Sequence, residues 1–114
     1  MKLTIHRGTH EIGGNCVEIA TDSTRIILDV GMPLFDGDRK PFDDKVVRGK
    51  TVDELLSAGI LPNVSGLFSE GLLPNGILLS HAHMDHTGFL PFTRSEIPAY
   101  AATGTSKMMS AGAI

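Results

Sequence analysis

The sequence has little cysteine, no excess of basic residues and no long hydrophobic run. Cys16 is the one cysteine among 114 residues, which excludes an internal disulfide and a thiolate metal site. The formal net charge is −3, without the basic stripe of a self-sufficient nucleic-acid binder. Residues 1–7 lack the apolar core of a signal peptide, and no apolar run approaches membrane-spanning length. These absences favour a cytoplasmic protein with no membrane segment.

The length fits one small domain, and the apolar pattern predicts that it contains strands and short helices, beginning with an N-terminal meander. Leu3 and Ile5 alternate with polar residues, which indicates a half-buried strand. A continuous apolar centre predicts that the strand from Arg25 to Val30 is buried on both faces. Further strands are predicted at Cys16–Ile19, Ile77–Leu79 and Pro98–Ala101, with the run Ile77-Leu78-Leu79 buried.

A short helix and two long loops are predicted between the third strand and the strand at Ile77–Leu79. Thr51 and Glu54 have the spacing of a capping box, and Gly59 is placed to end the helix. Residues 32–50 are predicted to be a loop, either a solvated surface excursion or a substrate-side loop anchored by two phenylalanines. Residues 63–76 are predicted to be a loop held against the body by apolar side chains. The anchors are Phe35 and Phe42 in the first loop and Leu67, Phe68, Leu72 and Leu73 in the second.

Three histidines and one aspartate lie within six residues directly after the predicted strand Ile77–Leu79. They are His81, His83, Asp85 and His86. Side chains at i and i+2 of an extended chain point to the same side, so His81 and His83 can reach one metal ion. A bend at Asp85 would let Asp85 and His86 reach a second ion beside it. Imidazole and carboxylate groups suit zinc, and a water shared by two such ions becomes hydroxide near neutral pH. The alternative is that these histidines cap a strand or lie on a solvated loop.

This stretch, His81-Ala82-His83-Met84-Asp85-His86 followed by Gly88, resembles the signature of the metallo-β-lactamase fold hydrolases. The segment from Gly8 to Cys16 resembles that family's first hairpin, and the segment from Ile26 to Gly31 resembles its third strand and following glycine. The hairpin is most similar to the RNA-processing branch, which includes ribonuclease J and the β-CASP nucleases.

The resemblance implies a zinc-dependent hydrolase whose activated hydroxide attacks an RNA-type phosphodiester. His81 and His83 would hold the first zinc, and Asp85 and His86 the second, with manganese or iron as alternative metals. Asp85 would also orient the hydroxide and accept its proton. Asp29 would support the metal-binding loop from behind the ligands; without the resemblance, it is equally well explained as a turn former. A small ester, thioester or lactam is the alternative substrate.

The resemblance also implies that residues 1–114 form a partial domain. The family's full fold is an αββα sandwich, of which this chain would be the N-terminal half, an α/β (α+β) fold with a mixed β-sheet and short helices. The family's site takes a third histidine, a bridging aspartate and a last histidine from later segments, and no residue after His86 supplies them. The upstream His6 and His10 do not match those positions. The chain alone is therefore expected to lack a complete site. A non-catalytic module that associates with itself or with a complementing chain is the second hypothesis.

Overall fold

The computed structural model describes residues 1–7, 14–32, 40–41, 44–80 and 88–101. Five strands form one sheet in the order β1-β2-β3-β4-β5. Their bounds are Lys2–Arg7 (β1), Cys16–Ala20 (β2), Arg25–Leu28 (β3), Gly76–Leu79 (β4) and Ala99–Ala101 (β5), and the helix α1 spans Val52–Ser57. Short 3-10 helices span Asp44–Val46 and Leu90–Phe92. The predicted α/β fold with a mixed sheet and short helices is confirmed.

The sheet combines an antiparallel meander with two parallel strands. β1, β2 and β3 pair antiparallel in sequence order, and the turn between β2 and β3 is closed by a 2.8 Å hydrogen bond from Thr21 N to Thr24 O. β4 then pairs in parallel with β3, and β5 pairs in parallel with β4. A parallel pair needs a long crossover connection, and the segment that contains α1 supplies it between β3 and β4. The carboxyl ends of β3, β4 and β5 consequently lie along one edge of the sheet.

The predicted capping box begins α1. Glu54 N donates to Thr51 Oγ1 at 3.2 Å, and Thr51 N donates to Glu54 Oε1 at 3.1 Å. Two backbone amides that the helix leaves unpaired are thereby satisfied. Gly59, with φ of 74°, follows the helix as predicted. Six residues are too few for a stable isolated helix, and α1 instead depends on burying Leu55, which is 1% exposed.

One face of the sheet, which we call the covered face, carries the hydrophobic core. Ile27 and Ile77 pair across β3 and β4 and are fully buried. They belong to one cluster with Leu55 and with the buried side chains of the loop between α1 and β4. That loop buries Leu67 and Phe68 as predicted and contributes Leu61 and Val64. Leu72 differs from the prediction, because its side chain is 80% exposed and does not hold the loop down.

An arginine, rather than Leu72, fastens this loop to the sheet. Arg25 donates to the carbonyl oxygens of Leu72 at 2.8 Å and Ser65 at 2.9 Å. Its guanidinium also binds both carboxylate oxygens of Glu18, at 2.9 and 3.2 Å, and His6 Nε2 donates to Glu18 Oε1 at 2.9 Å. The hydrogen bonds from Arg25 lower the pKa of the Glu18 carboxyl from 4.5 to about 2. His6 is therefore a half-buried member of this cluster.

The opposite face of the sheet, which we call the open face, has only apolar side chains at its paired positions. Strand register places two rows across it: one runs from Ile5 on β1 to Tyr100 on β5, and the other from Leu3 to Gly76. Leu78, predicted to be buried, lies on this face and is 43% exposed, and β3 is fully buried only at Ile27. The open face consists of Leu3, Ile5, Val17, Ile19, Ile26, Leu28, Leu78 and Tyr100.

Candidate metal centre

The predicted metal ligands follow β4 immediately, at the edge where the parallel strands end. Open α/β sheets commonly bind ligands at the carboxyl ends of their strands. His81, His83, Asp85 and His86 lie outside the described residues, and their role as ligands stays a prediction. The residues on both sides of them, Ser80 and Gly88, are described. The contacts of described residues hold the chain on both sides of the segment 81–87.

Asp29 holds the first end of this segment. Ser80 donates two hydrogen bonds to the Asp29 carboxylate, from its backbone nitrogen to Oδ1 and from its Oγ to Oδ2, each 2.7 Å long. The Asp29 side chain is 6% exposed and is the one buried polar or charged side chain among the described residues. Bonds this short to an ionised carboxylate are charge-assisted and stronger than neutral ones. Asp29 consequently fixes the position of the residue that precedes His81.

The backbone at Asp29 is bent so that this contact can form. The predicted third strand ends at Leu28 rather than at Val30, because Asp29 adopts a φ of 61°. Asp29 is the one described non-glycine residue with positive φ. Aspartate tolerates this left-handed conformation better than most residues. Asp29 N still donates to Leu78 O at 2.9 Å, so the bend occurs without loss of pairing to β4. Asp29 is thus a turn residue that also binds the neighbouring strand end.

The turn that begins at Asp29 also holds the second end of the segment. Val30 O accepts a 2.9 Å hydrogen bond from Phe89 N, and the Phe89 side chain is fully buried. Gly31 N donates to Asn15 O at 3.0 Å, which brings the end of the first loop to the same turn. Three consecutive residues, 29 to 31, therefore hold both ends of the segment 81–87 and the residue that precedes β2.

Sequence reasoning identified Asp29 but assigned no role to Ser80. The signal was present, since a hydroxyl residue stands directly before His81. What the sequence could not show was that this hydroxyl meets a carboxylate 51 residues away. The supporting role that the resemblance implies for Asp29 stays a prediction. Its contact with Ser80 stands independently of that role.

The donor types present fit a zinc, manganese or iron site made of nitrogen and oxygen ligands. Imidazole and carboxylate groups bind all three metals. Cys16 is buried, and burial raises the pKa of its thiol to about 12, so the free thiol is protonated at neutral pH. Among the described residues, no group of three or more histidine, cysteine, aspartate or glutamate side chains is placed to hold an ion.

None of the described helices has the length and apolar character needed to cross a membrane.

Comparison with known proteins finds relatives whose names refer to RNA cleavage and to transcription termination. The chain is 31% identical over 90 residues to an RNase J-like protein of Methanocaldococcus jannaschii, covering 79% of this chain and 15% of that protein. It is 33% identical over 100 residues to a ribonuclease J of the same organism, covering 80% of this chain and 20% of that protein. It is 27% identical over 113 residues to the transcription termination factor FttA of Methanothermobacter thermautotrophicus, covering 96% of this chain and 15% of that protein.

A solved structure shares the fold. A protein of unknown function from Enterococcus faecalis V583 superposes with a TM-score of 0.73 at 23% identity, covering 94% of this chain and 26% of that chain. No protein-family model matches the sequence. The chain thus spans between about a seventh and a fifth of the length of these three relatives. It is similar in sequence to a short part of proteins named as ribonucleases and as a termination factor.

Proposed function

We propose that the chain is the metal-binding part of a hydrolase of the metallo-β-lactamase and β-CASP type that cleaves RNA phosphodiesters. The observation that carries the proposal is the joint presence of the His81-to-His86 motif and of hydrogen bonds from the turn at residues 29–31 to Ser80 and Phe89, on either side of it. The relatives named as ribonucleases support RNA as the substrate class. The fold is compatible, because the motif follows a parallel strand at the ligand-binding edge of the sheet.

In this proposal Asp85 has two roles and each of the other residues has one. His81 and His83 would hold a first zinc, and Asp85 and His86 would hold a second. A bound zinc would lower the pKa of a coordinated water to near 7. Asp85 would also orient the attacking water toward the phosphorus and accept its proton. Asp29 fixes the start of the motif through Ser80, which limits the movement of the residue next to His81.

Two protein ligands for each ion hold zinc less securely than three or four. Further ligands for a secure site are therefore expected to come from polypeptide outside residues 1–114. The isolated chain is expected to bind metal weakly and to cleave RNA slowly or not at all. A longer protein that contains this segment is expected to do both.

Metal binding by the chain itself is the first test. Titration with Co²⁺, which substitutes for zinc and absorbs visible light when bound by histidine, should give a saturable spectrum. His83→Ala should lose it. The control is His6→Gln, which changes a histidine that binds Glu18 on the covered face and should leave the spectrum unchanged. An identical spectrum for His83→Ala would contradict the ligand assignment.

Cleavage of end-labelled RNA tests the substrate class, in the longest protein that contains this segment. His83→Ala should abolish cleavage there, whereas His6→Gln should preserve it. Hydrolysis of a small ester, thioester or lactam without RNA cleavage would replace RNA as the substrate and keep the metal site. Metal-free protein with no hydrolysis of either substrate would favour the non-catalytic module instead.

A further inference from the structure

The loop at residues 65–72, which we call the clamped loop, is held through its backbone by two arginines. One of them, Arg25, lies on β3, and the other, Arg94, follows the predicted metal ligands in sequence. The acceptors are the carbonyl oxygens of Ser65 and Leu72 for Arg25 and those of Ser69 and Gly71 for Arg94. The clamped loop therefore connects the beginning of β3 to the chain that leaves the motif.

The clamped loop has little freedom to move. Its ends meet at Gly66 and Gly71, where a Cβ added to Gly71 would stand 2.8 Å from Gly66 N. Leu67, between them, is fully buried. Arg25 holds the ends to β3, and Glu18 binds the Arg25 guanidinium through both carboxylate oxygens. A residue that binds the clamped loop is consequently fixed relative to the sheet.

Arg94 binds the clamped loop at three points. Its Nη1 donates to Gly71 O at 3.0 Å and to Ser69 O at 3.3 Å, and its backbone nitrogen donates to Leu67 O at 2.9 Å. Glu96 accepts from the other terminal guanidinium nitrogen at 3.2 Å, but the Glu96 side chain is 56% exposed. Exposed ion pairs contribute little. The contacts with the clamped loop, rather than the one with Glu96, therefore fix Arg94.

A short turn joins Arg94 to the end of the motif. Phe92 N donates to Phe89 O at 3.1 Å, and the two rings pack edge to face with their centroids 6.1 Å apart. Phe89 is fully buried and its nitrogen donates to Val30 O. Because the turn is closed by both contacts, a displacement at Arg94 is passed to Phe89, which lies three positions after His86.

We propose that Arg94 is a positioning residue for the second metal ion, the one assigned to Asp85 and His86. This inference rests on the proposed metal site. The hydrogen bonds of Ser80 act directly before His81, on the side of the first ion, whereas the turn that Arg94 holds begins directly after the motif. Each end of the motif thus has its own support. Loss of one support should weaken the ion whose ligands are nearer to it in sequence.

Co²⁺ titration of the longest protein that contains this segment, with two bound equivalents resolved by visible absorption and calorimetry, tests the proposal. The equivalent that His86→Ala removes identifies the second site. Arg94→Met keeps the aliphatic stem and removes the donors. It should raise the dissociation constant of that equivalent by about tenfold, the lower end for residues that support metal ligands, and leave the first unchanged. Glu96→Gln, which alters only the exposed partner of Arg94, is the matched control and should change neither constant.

A general loss of stability would not give this pattern. Thr51→Ala removes the cap of α1 and should leave both Co²⁺ dissociation constants unchanged. Hydrogen exchange of the metal-free protein tests the link through the turn, because local opening exposes amides to exchange. The Phe89 amide should exchange faster in Arg94→Met than in Thr51→Ala.

The results that contradict the proposal differ from those that contradict the metal site. An unmodified protein that binds no Co²⁺ refutes the metal site, and the role of Arg94 with it. If the unmodified protein binds two equivalents, three results refute the role of Arg94 alone: an unchanged second constant in Arg94→Met, equal weakening of both equivalents, or equal Phe89 exchange in Arg94→Met and Thr51→Ala. If Arg94→Met does not fold, Arg94→Gln decides in the same way, since its amide is too short to bind both carbonyl oxygens.

Discussion

Replacing Asp29 with alanine removes both hydrogen bonds that fasten Ser80 to the turn after β3. Each is a charge-assisted bond of 2.7 Å, with a net contribution of about 1.5–3 kcal/mol. Because Ser80 is exposed, water can replace part of the lost hydrogen bonding. We therefore use the lower end of that range of net contributions for each bond. Alanine at a φ of 61° adds about 1 kcal/mol of backbone strain. The expected loss is roughly 3 kcal/mol, since the two bonds share one carboxylate and do not add fully.

Two further variants separate the hydrogen bonds from the strain. Asp29→Gly also loses the carboxylate but tolerates the backbone conformation, so it should be about 1 kcal/mol more stable than Asp29→Ala. Asp29→Asn keeps an acceptor for the Ser80 amide and should lose only about 1 kcal/mol. Ser80→Ala removes the Oγ bond alone and should cost about as much as Asp29→Asn.

Urea unfolding followed by circular dichroism measures these differences, with all variants compared at one protein concentration. For a chain of this size, about 3 kcal/mol corresponds to a fall of roughly 12 °C in the melting temperature. Asp29→Ala within about 0.5 kcal/mol of the unmodified chain would refute this account of the Asp29 carboxylate. So would Asp29→Gly falling below Asp29→Ala, because the strain would then have the wrong sign.

Three more predictions concern single residues. Thr51→Ala removes the side chain that caps α1 and should lower the free energy of unfolding by about 1 kcal/mol, measured by urea unfolding. Gly66→Ala should cost about 2–3 kcal/mol, because φ is 75° and the added Cβ would overlap the Leu72 carbonyl oxygen. Gly59→Ala, with φ of 74° and open space around it, is its control and should cost only about 1 kcal/mol; equal losses would contradict the clash. Glu18 has a folded pKa of about 2 and an unfolded value near 4.5, so the unfolded state binds more protons between these pH values. Its stabilisation of the fold is present above pH 4.5 and is lost as the pH falls to about 2. We expect a loss of about 2 kcal/mol after allowing for solvent screening, and a Glu18→Gln variant whose stability changes less over that interval in acid unfolding curves.

Local features of the sequence were sufficient for the strands and the helix. The alternation of Leu3 and Ile5 located β1, and the Thr51–Glu54 spacing located the capping box of α1, because strand alternation and capping depend on residues only a few positions apart. The ends of elements were harder to predict. The strand predicted to reach Val30 ends at Leu28, because Asp29 adopts a positive φ there while its carboxylate binds Ser80.

Burial depends on neighbours that the sequence does not reveal. Leu72 and Leu78 are leucines in apolar runs, and both were predicted to be buried. Leu78 is exposed because the strand register directs it to the open face. Leu72 is exposed because Arg25 binds the carbonyl oxygen of Leu72, so the loop is held without burial of the Leu72 side chain.

The sequence by itself determined approximately where the strands and the helix α1 form. It also placed four side chains of metal-binding type close after the end of one strand. The tertiary structure alone decided which sheet face is apolar and open, and it brought Asp29 to Ser80 across 51 residues. The physical reason is that propensity and capping act over a few residues, whereas face and contact are set by the register between strands distant in sequence.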